Sequence, residues 1–142
     1  MKILLLMPDA HMHKLRIGAH IRSMREAPLS LTTLAALLPE NLDIEWKIVD
    51  GSIDQIPMEE MADLVGISVI TGTAVRAYQM ADHFRGRGIP VVLGGVHVTI
   101  LPGEAIQHAD SIVIGMAERT WPRLINDFRK GKMAKVYRDE TP

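Results

Sequence analysis

The chain has 142 residues, 47% hydrophobic and 23% charged, with 16 basic residues against 17 acidic ones and a formal charge of -1. That size and balance suit one globular domain with a single core, and the near-neutral charge offers no field to attract nucleic acid or an anionic membrane, so neither is an expected partner. With no cysteine, the chain itself can form no disulfide, thiolate metal site, iron-sulfur cluster or cysteine nucleophile, and a cytoplasmic location is expected.

The opening run Lys2-Ile3-Leu4-Leu5-Leu6-Met7 stops at Pro8-Asp9 and is too short for a signal peptide, so it reads as a buried first strand. No apolar stretch reaches the roughly eighteen residues a membrane span requires. About twenty residues, from Pro8 to Pro28, then precede the first helical pattern, and loops of that length are usually functional or disordered. This one carries His11, His13, Lys14, Arg16, His20, Arg22 and Arg25 against Asp9 and Glu26. It reads as a basic flap over a crevice, a docking surface or a solvated loop.

A helix is predicted over 29–38, then strands over 44–49 and 64–70. The helix predicted over 73–86 has Thr71 or Thr73 as its start signal and Gly86-Arg87-Gly88 ahead of Pro90 as its stop, with Ala74, Tyr78, Ala81 and Phe84 as the buried stripe. A strand over 90–93, a helix over 102–107 begun by Pro102, a strand over 111–114 and a helix over 119–130 follow. Residues 1–131 read as one domain and 132–142 as the start of a linker, with the strand-like run 134–137 inside it and a domain boundary of a longer protein at its end. Val- and Ile-rich runs without polar alternation, interleaved with helices, indicate a buried parallel sheet. The expected fold is a three-layer α/β domain, flavodoxin-like (Rossmann-like), with a five-stranded parallel sheet of order 2-1-3-4-5. Its crevice would be served by the loops after Met7, Ile70, Leu93 and Ile114, above the carboxyl ends of strands one and three.

Candidate site residues cluster at those loops. Gly94-Gly95 closes a strand, where a glycine pair makes a tight turn or admits close backbone approach. Val96, His97 and Thr99 follow; His97 could contact a ligand, bind a metal or bond a neighbouring loop. Ser68, Ile70, Thr71 and Gly72 end the third strand, with hydroxyls able to bond a ligand or cap the next helix. Gly115, Met116 and Glu118 form the last loop, where Glu118 could meet a ligand or favour a helix start. Asp9-Ala10-His11 has the spacing of a carboxylate that orients a metal-binding imidazole, and His11, His13 and His20 could alternatively form a histidine site. No phosphate loop, dinucleotide fingerprint or nucleophile elbow is present, so no residue is assigned a catalytic role.

The string Gly94-Gly95-Val96-His97-Val98-Thr99 through Pro102, with His108-Ala109-Asp110, Val113-Ile114-Gly115-Met116-Ala117-Glu118 and Thr120-Trp121-Pro122, resembles the amino-terminal cobalamin (vitamin B12)-binding domain of radical S-adenosylmethionine enzymes. The resemblance spans nearly the whole chain. It implies a corrinoid over the carboxyl ends of the strands, its nucleotide tail entering beside Gly94 and Gly95, with Ser68, Ile70, Thr71, Gly72, Val96, His97, Thr99, Gly115, Met116 and Glu118 around it. Ser68 and Ile70 match the family's Ser-x-Leu with Ile for Leu, and Met116 stands where a glutamate is usual. Asp9 and His11 match Asp-x-His-x-x-Gly, whose histidine ligates cobalt, but Lys14 occupies the glycine position. Enzymes of this group often lack that ligand, which implies five-coordinate cobalt or water, with His11 as the alternative.

The resemblance also implies a following radical domain that binds S-adenosylmethionine and an iron-sulfur cluster. The parent enzyme would perform methyl transfer, oxidation or rearrangement of an organic substrate. The rival expectation is a cofactor-free flavodoxin-like domain that docks a partner through the basic segment 11–25. A flavin is disfavoured by the missing phosphate loop.

Overall fold

The computed structural model describes residues 1–9, 14–17, 20–23 and 29–139, with 14–17 and 20–23 described by backbone alone. The strands are β1 (Lys2–Met7), β2 (Lys14–Ile17), β3 (His20–Ser23), β4 (Glu45–Asp50), β5 (Leu64–Ser68), β6 (Val91–Gly94), β7 (Ser111–Ile114) and β8 (Val136–Arg138). The helices are α1 (Leu29–Ala36), α2 (Ala74–Gly86), α3 (Val96–Ile100), α4 (Pro102–Ala105) and α5 (Thr120–Arg129). No helix among the described residues is long and apolar enough to cross a membrane.

The main sheet is parallel, in the order β4-β1-β5-β6-β7-β8. This is the flavodoxin-like order expected, with six strands instead of five. The addition is β8, which lies within the segment 132–142 expected to begin a linker and pairs Tyr137 with Val113. Three residues are too short for a periodicity signal to separate strand from tail. The inner strand β1 is apolar from Ile3 to Met7 because both its faces are covered: Leu4 and Leu6 pack with α2, Ile3 and Leu5 with α1 and α5. On one face α2 contributes Ala77, Met80, Ala81 and Phe84; on the other, α1 contributes Leu31 and α5 contributes Trp121, Leu124 and Ile125.

Two further elements depart from expectation. The segment read as a basic flap contains an antiparallel pair, β2 with β3, in which Ile17 stands opposite His20. Leu15, Ile17 and Ile21 alternate with Lys14, Arg16, His20 and Arg22, the period of a strand with two different faces. The string after Gly95, expected to run as a loop up to Pro102, begins at once with the short helix α3. Pro102 starts α4 as predicted.

Two aromatic side chains tie the layers. Tyr137 is fully buried; its hydroxyl donates to Asp127 Oδ2 at 2.9 Å and accepts from the Ala134 N–H at 3.0 Å, fastening β8 to α5. Tyr78 of α2 stacks on His108 with ring centroids 4.4 Å apart. Among the described residues no polar atom meets strict hydrogen-bond criteria to its hydroxyl; burial first, and then the nearby Glu104 carboxylate toward which the hydroxyl can donate, pushes the phenol up to about 12.

Replacing Tyr137 with Phe leaves both hydrogen-bond partners unmet and should cost about 1–3 kcal/mol, read as a lower urea midpoint. For Tyr78 the folded state holds its proton up to about 12 while the unfolded chain releases it near 10.0. The stability tied to this group is therefore complete below pH 10.0 and is lost as pH rises through about 12. Denaturation midpoints should fall across that window, and Tyr78→Phe should flatten the fall except for the part carried by Tyr137, whose phenol burial also raises.

Candidate functional site

Side chains along a strand alternate between faces, so Leu64, Gly66 and Ser68 of β5 point to the α1/α5 side, as do Val92 and Gly94 of β6 and Val113 of β7. On that face the side chains shrink toward the carboxyl ends, from Leu64 to Gly66 and Ser68 and from Val92 to Gly94. Gly66 pairs with Val92 and Ser68 with Gly94, so the small positions lie side by side. Beyond them the α1 and α5 helices have nothing to pack against. The result is a groove of about 510 Å³ between the strand tips, α1 and α5. Its walls are mainly apolar, with Leu29, Leu34, Ile100 and Trp121 among them.

The glycines act differently. A Cβ on Gly94 would meet only Val113, at 3.7 Å from its Cβ, and would otherwise project into the groove. A Cβ on Gly66 would lie 3.0 Å from Leu5 Cδ2 and 3.5 Å from Trp121 Cη2, the ring that forms a groove wall. Gly95 has φ +105°, and a Cβ there would sit 2.7 Å from the Val69 carbonyl oxygen and 2.9 Å from its nitrogen. Its first requirement is thus a backbone crossing, where the Val69 N–H donates to the Gly94 carbonyl at 2.8 Å and the His97 N–H to the Val69 carbonyl at 3.2 Å.

Thr99 locks the mouth. Its hydroxyl donates to the Gly95 carbonyl at 3.0 Å and accepts from the Gly115 N–H at 2.9 Å, joining the loops after β6 and β7. Gly115, with φ +80°, lets that loop turn away. Ser68 Oγ lies 3.4 Å from Ser30 Oγ of α1, giving the groove one hydroxyl pair. Met116 and Val96 are exposed at the mouth, and Glu118 presents an exposed carboxylate just ahead of α5.

Of the sequence candidates, Ser68, Gly94, Gly95, Val96, Thr99, Gly115, Met116 and Glu118 line the groove. Ile70, Thr71, Gly72 and His97 do not. His97 is buried on the opposite side, its Nδ1 3.3 Å from Thr71 Oγ1 and its Nε2 3.2 Å from Glu104 Oε1. Tyr78, followed by His97, holds the Glu104 carboxyl below its ordinary range. Thr71 is therefore engaged by His97 and does not cap α2; Thr73 instead closes on the Ile70 backbone. His11 and His13 lie outside the described residues, as do the side chains of His20 and the basic residues on β2 and β3. Among the described residues no cluster of His, Asp and Glu could hold a metal ion. Among the described residues three of the four expected loops line the groove; after β1, Pro8 and Asp9 do not, and 10–13 lie outside the described residues.

Sequence reasoning missed Gly66, Trp121 and the α1 wall. An isolated glycine within an apolar strand was the available signal for the first.

The volume and the mainly apolar walls leave room for an aromatic group, with the Ser30 and Ser68 hydroxyls available to its polar edge. A family profile described as the B12 binding domain matches residues 18–125. Two curated relatives come from Chlorobaculum tepidum. A bacteriochlorophyllide d C-8(2)-methyltransferase is 41% identical over 110 residues, and a bacteriochlorophyllide d C-12(1)-methyltransferase is 35% identical over 112. The matches cover 77% and 78% of this chain but only 24% of each relative. Among solved structures, the amino-terminal domain of a hypothetical protein from Thermotoga maritima shares the fold, with a TM-score of 0.53 and 20% identity over 88% of this chain and 99% of that one. The chain belongs to the family of B12-binding domains.

Proposed function

We propose that this chain is the cobalamin-holding module of a larger radical S-adenosylmethionine enzyme that transfers a methyl group, and that it is not catalytic alone. The observation that carries the reading is the glycine-held groove at the strand tips, which a Cβ at Gly94 would enter. Methyl transfer is favoured over oxidation or rearrangement because both Chlorobaculum tepidum relatives are named methyltransferases, about four times as long as the segment they share with this chain. S-adenosylmethionine and the iron-sulfur cluster would belong to a following domain, and a chain without cysteine suits a cytoplasmic setting.

Bound cobalamin supplies the reactive cobalt. The protein's share is position and shelter. Leu34, Val113 and Trp121 would exclude water from its nucleotide tail, the Ser30 and Ser68 hydroxyls would be available to the tail's polar edge, and Thr99 keeps the two glycine loops at a fixed spacing. Val96 and Met116 offer exposed apolar surface to the ring itself. Ile70, Thr71, Gly72 and His97 support this seat from behind, with His97 holding the loop after β5 through Thr71. For the lower ligand of cobalt, an open position or water is the preferred reading and His11 the alternative.

The full chain mixed with hydroxocobalamin should retain its visible absorption through gel filtration. Gly94→Leu should weaken retention by roughly tenfold or more with little change in thermal stability, because its side chain fills the groove without meeting backbone. Gly95→Ala should instead lose stability, by roughly 1–3 kcal/mol, because its Cβ meets the Val69 backbone. Colour held equally by wild type and Gly94→Leu, or by neither, would sink the assignment.

A further inference from the structure

A second concavity, also about 510 Å³, opens where α5 begins beside the β8 edge of the sheet and shares no lining residue with the groove. Arg119, Thr120 and Arg123 line it from α5 and the residue before it; Val136, Arg138 and Asp139 line it from β8 and the residue after it. Three guanidinium groups face one carboxylate, an excess of two positive charges.

The arginines are not equivalent. Arg119 Nε lies 3.9 Å from Asp139 Oδ2, so its charge is largely matched. Arg123 sits with its guanidinium carbon 5.1 Å from the centroid of the Tyr137 ring, and that ring is fixed by Asp127 and Ala134. Neither the Arg123 nor the Arg138 guanidinium has a hydrogen bond or ion pair among the described residues. Their planar donor forks are unspent, such forks match carboxylate and phosphate oxygens alike, and an excess of two positive charges favours the doubly charged phosphate. The first turn of α5 adds the positive end of a helix dipole to the same wall. The volume leaves room for the body of a small molecule beyond its charged group.

We propose that this concavity binds a doubly charged tetrahedral oxyanion, the phosphate of a phosphorylated small molecule or inorganic phosphate itself, between Arg123 and Arg138. The site is separate from the corrinoid groove, so either assignment can fail without the other.

The test is a titration of the isotope-labelled full chain with inorganic phosphate, followed by amide NMR shifts, with chloride holding ionic strength constant. Saturable shifts are expected in residues 119–123 and 136–139, with a midpoint of roughly 1 mM. Arg123→Gln and Arg138→Gln should each weaken binding by roughly tenfold, while Arg129→Gln at the far end of α5 should not. Ribose 5-phosphate distinguishes the two sources: tighter binding than inorganic phosphate identifies an ester, and equal binding identifies the free ion. Hydroxocobalamin retention should be unchanged in both arginine variants. Equal shifts with chloride alone, an equal loss in Arg129→Gln, or a response to polyglutamate and none to phosphate overturns the proposal. Loss of hydroxocobalamin from folded Arg123→Gln overturns it too, by assigning these charges to the corrinoid.

Discussion

Protein interiors pack nearly as densely as organic crystals, so a groove survives at the end of a sheet only where the chain withholds the atoms that would fill it. Here the withholding is confined to one face and one end. Leu64 and Val92 pack normally against α1 and α5, while two residues later on the same face Gly66 and Gly94 contribute no side chain. The opposite face stays closed, since Ile67, Leu93 and Ile114 continue the α2 core up to the tips. The sheet is therefore solid on one side and open on the other, and the same strands do both.

That opening would be shapeless without the Gly95 crossing. With φ +105° the chain passes against Val69, and α3 leaves from there in a fixed direction. Thr99, one turn along α3, then reaches both the Gly95 carbonyl and the Gly115 N–H. One left-handed residue thus sets a helix, the helix sets a hydroxyl, and the hydroxyl sets the distance between two loops. Adjacent glycines serve separate ends, the first leaving space and the second leaving backbone clearance.

The sheet order and most elements were legible because buried parallel strands and their helices carry strong hydrophobic patterns. Lys2–Met7 and Ser111–Ile114 have the bounds expected from pattern alone. Gly94 and Gly115, which line the groove, stood out in the sequence because glycine after an apolar strand marks a turn or a close approach, and Thr99 because it follows the glycine pair. Gly66 was hidden inside a strand that looked continuous, and the walls from α1 and α5 depend on long-range packing that no local pattern records. For His97 the sequence left ligand, metal and neighbouring loop open; α3 begins immediately after Gly95 and turns the imidazole toward Thr71 and Glu104, which is the last of the three. The β2 and β3 pair was hidden by composition, since a segment this rich in basic residues resembles a solvated loop.

The last strand has a consequence for behaviour at high concentration. Outer strands present free peptide groups that invite another chain to continue the ladder, and proteins discourage this with brevity and like charge. β8 is three residues long, preceded by Lys135 and closed by Arg138. A second copy laid alongside it would bring lysine and arginine against their own kind with little ladder to compensate. The rim that completes the sheet is thus also a guard against self-templated fibres.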